Sequence, residues 1–167
     1  MNYFQGNKDH PRHLSVGAVL MNEKGEICAH YLSENINGYW KDEGLVGTHI
    51  LMRETVEHNE SLEQAVERGL MEEFGATAEI KDYIGSIQSH FKDEEVEGEK
   101  ITLYFLCNLI DQNQSRRDTS DVEGQTDLEW HPLDFLIEKM RKQGLDHPER
   151  TDMDESSILE RLKQLLG

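Results

Sequence analysis

The tightest local constraint in this chain lies between Arg53 and Ala76. Ser61 is followed three residues later by Gln64, the spacing of a capping box, and good helix formers continue until Gly75. The pattern predicts a helix from about Leu62 to Phe74, with Gly75 as its C-terminal stop. At about 100° per residue, Val66, Leu70 and Phe74 form one apolar stripe, while Arg68, Gly69, Glu72 and Glu73 gather on the neighbouring face. The loop ahead adds Glu54, Glu57 and Glu60 at three-residue intervals. Carboxylates converging from a loop and one helical face are hard oxygen ligands, suited to magnesium or manganese with waters and substrate phosphates completing the shell. A Glu-Glu pair on an acidic helix is, taken alone, usually a solvated surface. The spacing has to carry the argument.

That spacing resembles the Nudix box, G-x5-E-x7-R-E-U-x-E-E-x-G-U, in which U is a bulky apolar residue. Glu60, Arg68, Leu70, Glu72, Glu73 and Gly75 fall in register, and Ala76 is a small occupant of the last position. The chain departs from the box twice: its opening glycine is Glu54, and the glutamate after the arginine is Gly69. The resemblance implies that Glu72 and Glu73 bind the metal, that Arg68 orients the glutamates, and that Glu60 ties the loop to the helix. Arg53 stands where the family commonly has a Pro-Gly-Gly turn whose backbone carbonyl joins the metal shell. Glu57 matches an often acidic position and is a further metal or substrate candidate. Glu54 adds a carboxylate that most relatives lack, either a partial replacement for the one missing at Gly69 or an exposed loop residue.

Seventeen basic residues against 34 acidic ones give a formal net charge of −17. This argues against unassisted binding to nucleic-acid backbones or anionic membranes, which require basic patches. A small phosphorylated substrate remains compatible, since a divalent cation bridges phosphates to carboxylates. Cys28 and Cys107 sit in apolar strand-like runs and read as buried free thiols of a reducing cytoplasm. No long apolar span and no signal peptide is visible. The first ten residues, with their Asn-Tyr-Phe-Gln-Gly segment, read as a tag-like tail, and residues 11–167 as a single domain whose last part, 137–167, is helical.

Along the chain, Ser15 to Met21 and Glu26 to Leu32 predict a hairpin around the turn Asn22 to Gly25. Tyr39 and Trp40 follow in a loop, where Trp40 either stacks on a substrate base or closes the edge of the core. Thr48 to Met52 predicts a short strand. Ala78 to Ile80, Tyr83 to Phe91 and Ile101 to Ile110 predict a second hairpin around a charged loop, Lys92 to Lys100. The polar stretch Asp111 to Asp127 has no apolar periodicity and predicts a mobile loop. It contains Asp121 and Glu123, candidates for the general base that Gly69 cannot provide, and Arg116 and Arg117, a basic pair that suits a distal phosphate. Leu128 to Trp130 is the last strand, Pro132 opens a helix to about Gln143, and a leucine stripe ends the chain on a helix. That helix packs either on the core or on a second subunit, as in a homodimer.

Element order and resemblance together imply a Nudix-type α/β/α sandwich, an α+β fold with a central mixed sheet. The implied activity is magnesium-dependent hydrolysis of a diphosphate bond in a nucleoside diphosphate linked to another moiety. Its residue set is Glu57, Glu72 and Glu73 for metal, Arg68, Glu73 and Glu123 for catalysis, and Trp40, Arg53 and Arg116 for substrate. The alternative is a Nudix-fold protein that binds a nucleotide or protein partner without hydrolysis, an idea supported by Gly69. A weakened hydrolase should regain rate on Gly69→Glu, whereas a binder should not.

Overall fold

The structure, a computed structural model, describes residue 9 and residues 12–36, 38–92 and 97–167. Apart from Asp9, the tag-like tail lies outside the described residues, as do residues 93–96 of the charged loop. A seven-stranded mixed sheet forms the centre. Its strands are β1 (Arg12–Met21), β2 (Glu26–Tyr31), β3 (His49–Ile50), β4 (Met52–Thr55), β5 (Ala76–Lys92), β6 (Glu97–Gln112) and β7 (Asp127–Pro132). They run in the order β3-β2-β1-β6-β5, with β4 paired to β1 and β7 to β2. The β1–β6 pair is parallel and the others are antiparallel. The helices are α1 (Tyr39–Asp42), α2 (Leu62–Phe74), α3 (Leu133–Asp146) and α4 (Ser156–Leu166).

Alternation along β1 divides the core into two layers. Val16, Ala18 and Leu20 pack against Val66, Leu70 and Phe74, the stripe of α2. Val19 packs on the other face with Leu136 and Met140 of α3 and Leu159 and Leu162 of α4. Each fully buried Leu or Phe here contributes on the order of 2 kcal/mol. Ile158, Leu159 and Leu162 of the terminal stripe thus pack on the core of their own chain, while Leu165 and Leu166 stay exposed. Both cysteines are buried and free.

Helix α2 has the bounds its sequence predicts. Ser61 Oγ accepts from the Gln64 N–H at 3.2 Å, and Gln64 Oε1 accepts from the Ser61 N–H at 2.9 Å. Gly75 closes the helix at φ 62°, a left-handed conformation that favours glycine, and a Cβ there would lie 2.2 Å from the Asn113 carbonyl oxygen.

Arg53 to Thr55, expected in the loop ahead of α2, belong to strand β4, and Tyr39 and Trp40, expected in a loop, lie in the short helix α1. Further departures lie in β5, β6 and residues 111–127. β5 runs unbroken through Lys81 and Asp82, and its register shifts after Thr77, Ile80 and Tyr83 explain the interrupted alternation. Glu97 to Lys100, expected in a loop, are strand, because β5 pairs with all of them and β1 with Glu99 and Lys100. The stretch 111–127 is not a free loop. It folds into 3-10 turns at Gln114–Arg116 and Glu123–Gln125, and Arg117 fastens it to the body of the protein.

Candidate active site

Arg68, on the polar side of α2, gathers the acidic loop. Its Nε donates to Glu60 Oε1 at 2.8 Å and its Nη2 to Glu60 Oε2 at 3.0 Å, a bidentate pair. Nη2 also donates to the Thr55 carbonyl at 2.8 Å, which fixes the end of β4 to the helix. Nη1 lies 3.3 Å from Glu54 Oε1 and 3.4 Å from Glu72 Oε2. One guanidinium thus sets Glu60 and holds Glu54 and Glu72 side by side.

Glu73 is set from beneath. Thr126 Oγ1 donates its proton to the Glu123 carbonyl at 2.8 Å, so it accepts from His30 Nδ1 at 2.6 Å and from Arg117 Nη2 at 3.0 Å. Burial holds the His30 imidazole neutral, with its pKa pushed down to about 3. With the ring proton on Nδ1, Nε2 is the acceptor of the 2.7 Å contact with Glu73 Oε2, and the Glu73 carboxyl donates. Burial first, and then the nearby Glu123 carboxylate, push the Glu73 carboxyl well above the usual range, in agreement with that proton. Arg117 completes the support by donating to the Glu73 carbonyl at 2.5 Å and to the Thr126 and Glu123 carbonyls at 2.7 and 2.8 Å.

These groups surround a cavity of about 470 Å³. Its lining includes six carboxylates: Glu54, Glu72, Glu73, Asp118, Asp121 and Glu123. Arg53, Lys100 and His13 also line it. Burial, and then the adjacent Lys100, push His13 down to about 4, so it is neutral at pH 7. Burial and the charge of Arg53 bring the Lys100 ammonium down to about 8. Carboxyl groups outnumber the cations, and burial, followed by the neighbouring Glu73, pushes Glu54 up to about 7. A set of hard oxygen donors under mutual repulsion fits a divalent cation of the magnesium or manganese type.

Of the residues singled out in the sequence, Glu72, Glu73, Glu123, Asp121 and Arg53 line the cavity, and Arg68 stands behind its wall. Glu57 does not line it; its side chain is 64% exposed and lies 3.9 Å from Arg68. Trp40 is placed in a cluster with Leu32, Leu45 and Met153, where it covers the edge of the core instead of offering a face to a base. Arg116 pairs with Asp111 at 2.6 Å on the outside. The Arg53 guanidinium is drawn inward, donating to the Asp152 carbonyl at 3.1 Å and lying 3.7 Å from Glu155. Its charge is matched by the buried carboxylates of Asp152 and Glu155. His30, Thr126 and Lys100 were not marked as site residues by any motif, and Arg117, expected with Arg116 at a distal phosphate, instead donates to protein carbonyls. His30 carried one faint signal, a polar residue inside an apolar strand.

His49, Glu129 and His131 form a second group of metal-ligand types away from this cavity. Both imidazole Nε2 atoms meet Glu129 Oε2, at 2.8 and 2.7 Å. A metal-bound imidazole normally donates through its other nitrogen, but His49 Nδ1 is buried without a partner. The group is a hydrogen-bonded triad joining β3 to β7.

The NUDIX domain family model matches residues 11–151. Among solved structures, the chain is similar to the MutT protein from Methanosarcina mazei Go1, with 25% identity and a TM-score of 0.60 over 92% of this chain and 94% of that one. A NUDIX hydrolase from Nitrosomonas europaea aligns at 16% identity and TM-score 0.56 over 77% of each chain. The E. coli ORF135 protein aligns at 17% and 0.54, over 93% of this chain and 91% of that one. These last two likenesses are of fold alone. No curated protein sequence matches. With the family model spanning most of the chain, and the box arginine and glutamates assembled around one cavity, this protein belongs to the Nudix family.

Proposed function

We propose that this Nudix protein hydrolyses a diphosphate bond in a nucleoside diphosphate linked to another moiety, with magnesium or manganese as cofactor. The observation that carries the reading is the convergence of Glu72, Glu73 and Glu123 on a cavity that Lys100 also lines. Glu72 and Glu73 hold the metal, which when bound polarises the phosphate and lowers the pKa of water. Arg117 holds the Glu73 backbone carbonyl in place, and an ion bound to Glu73 would displace the carboxyl proton now given to His30. Arg68 holds Glu72 from the loop side. Glu123 accepts the proton of the attacking water. Lys100 pairs with a non-bridging phosphate oxygen of the bound substrate. His13, neutral at pH 7 and bonded to Thr55 Oγ1 at 2.9 Å, adds a polar wall without adding charge.

The test is phosphorus NMR of the purified protein with nucleoside triphosphates, nucleotide sugars, dinucleoside polyphosphates and dinucleotides, with and without magnesium. Monophosphate signals that require magnesium support the reading and identify the bond cut. Intact substrates, with line broadening for one ligand, would replace it with a binding protein.

A further inference from the structure

The two departures from the Nudix box meet in space. A Cβ placed on Gly69 would lie 2.9 Å from Glu54 Cβ, 2.7 Å from Met52 Sδ and 3.1 Å from Met52 Cε. The methionine end can swing aside, but Glu54 Cβ is fixed to the backbone of β4, whose pairing with β1 runs from Met52 to Thr55. Positions 54 and 69 therefore admit one side chain between them. The box pattern puts a glycine on the loop side and a glutamate on the helix, and this chain reverses both.

The carboxylate that results is held within the site. Glu54 lines the cavity beside Glu72 and Glu73, and its side chain is 21% exposed. Its Oε1 accepts from the Thr55 N–H at 2.9 Å and faces the same Arg68 Nη1 that Glu72 faces. The exposed loop glutamate Glu57 also approaches Arg68 Nη1, at 3.9 Å, but it lacks this enclosure and does not line the cavity. We propose that Glu54 supplies a third carboxylate to the divalent ion, delivered from β4 into the space that Gly69 leaves on α2. This rests on the metal-dependent reading above and names the ligand set that serves it. It also reverses the expectation that Gly69→Glu restores the site, since a glutamate there collides with Glu54.

The test is titration of the metal-free protein with Mn2+, read by electron paramagnetic resonance of the free ion and independent of turnover. Wild type should bind one ion in the cavity. Glu54→Gln keeps the shape and removes the charge, and it should weaken binding by about tenfold or more, as expected when a site loses a charged ligand. Gly69→Glu alone should not tighten binding, whereas the double exchange Glu54→Gly with Gly69→Glu should return affinity to within a few-fold of wild type. Wild-type affinity in a folded Glu54→Gln protein would overturn this inference and leave the metal-dependent reading standing. Tighter binding by Gly69→Glu with Glu54 intact would overturn it as well. Absence of Mn2+ binding by wild type would overturn both.

Discussion

Replacing Arg117 by alanine tests whether the 111–127 segment is a fastened part of the site. Its guanidinium donates to the carbonyls of Glu73, Thr126 and Glu123 at 2.5, 2.7 and 2.8 Å and to Thr126 Oγ1 at 3.0 Å. A hydrogen bond from a charged donor is worth about 1.5–3 kcal/mol singly. The four share one side chain, and Arg117 is only half-buried, so water can reach some of the freed acceptors. The expected net loss is about 3 kcal/mol. For a chain of this size that lowers Tm by about 6–12 °C. Arg117→Lys keeps the charge without the planar fork and should recover less than half of the loss. Thermal unfolding by circular dichroism reads both variants. An Arg117→Ala protein melting within about 2 °C of wild type would refute the fastening and return the segment to a free loop.

Other positions separate structure from chemistry. Trp40→Phe should lower Tm by opening the cluster with Leu32, Leu45 and Met153 while leaving KM unchanged; a raised KM at unchanged Tm would restore the stacking role. Lys100→Met should raise KM about tenfold, the loss of about 1.4 kcal/mol of phosphate attraction, and an unchanged KM would remove Lys100 from the substrate site. Burial depresses the Lys100 pKa to about 8 from its usual 10.5, so the charged form opposes folding below that range and Lys100→Met should not lower Tm at pH 7. His13, depressed to about 4 from 6.5, leaves stability intact above pH 6.5 and erodes it as the unfolded chain takes up a proton between about 6.5 and 4. Urea unfolding of His13→Gln should show a shallower loss across that window, and an identical slope would contradict the assignment.

What the sequence disclosed follows from the range of the forces involved. The ends of α2 are set within the segment itself, by Ser61, Gln64 and Gly75, so a local reading found them. Glu72 and Glu73 share a helical face for the same reason, and their spacing alone placed them together. His30 meets Glu73 only because β2 passes beneath α2, a contact 43 residues apart that no local pattern encodes. Lys100 reaches the cavity from a charged stretch that pairing with β1 and β5 turns into strand. Trp40 and Arg53 have chemistry suited to substrate binding, but Met153 and the carboxylates of Asp152 and Glu155 come from the far end of the chain to claim them. Gly69 read as a lost carboxylate, and only the proximity of Glu54 Cβ revealed what the glycine makes room for.

The central claim is that Glu73 serves a bound metal and not only the packing of its helix. Glu73→Gln is the direct measurement, because the amide can still donate to His30 Nε2 and preserve the buried network. On whichever substrate yields magnesium-dependent products, kcat should fall by roughly a hundredfold or more, equivalent to about 2.7 kcal/mol of transition-state stabilisation, at unchanged Tm. Unaltered metal-dependent turnover in the folded variant would contradict the account.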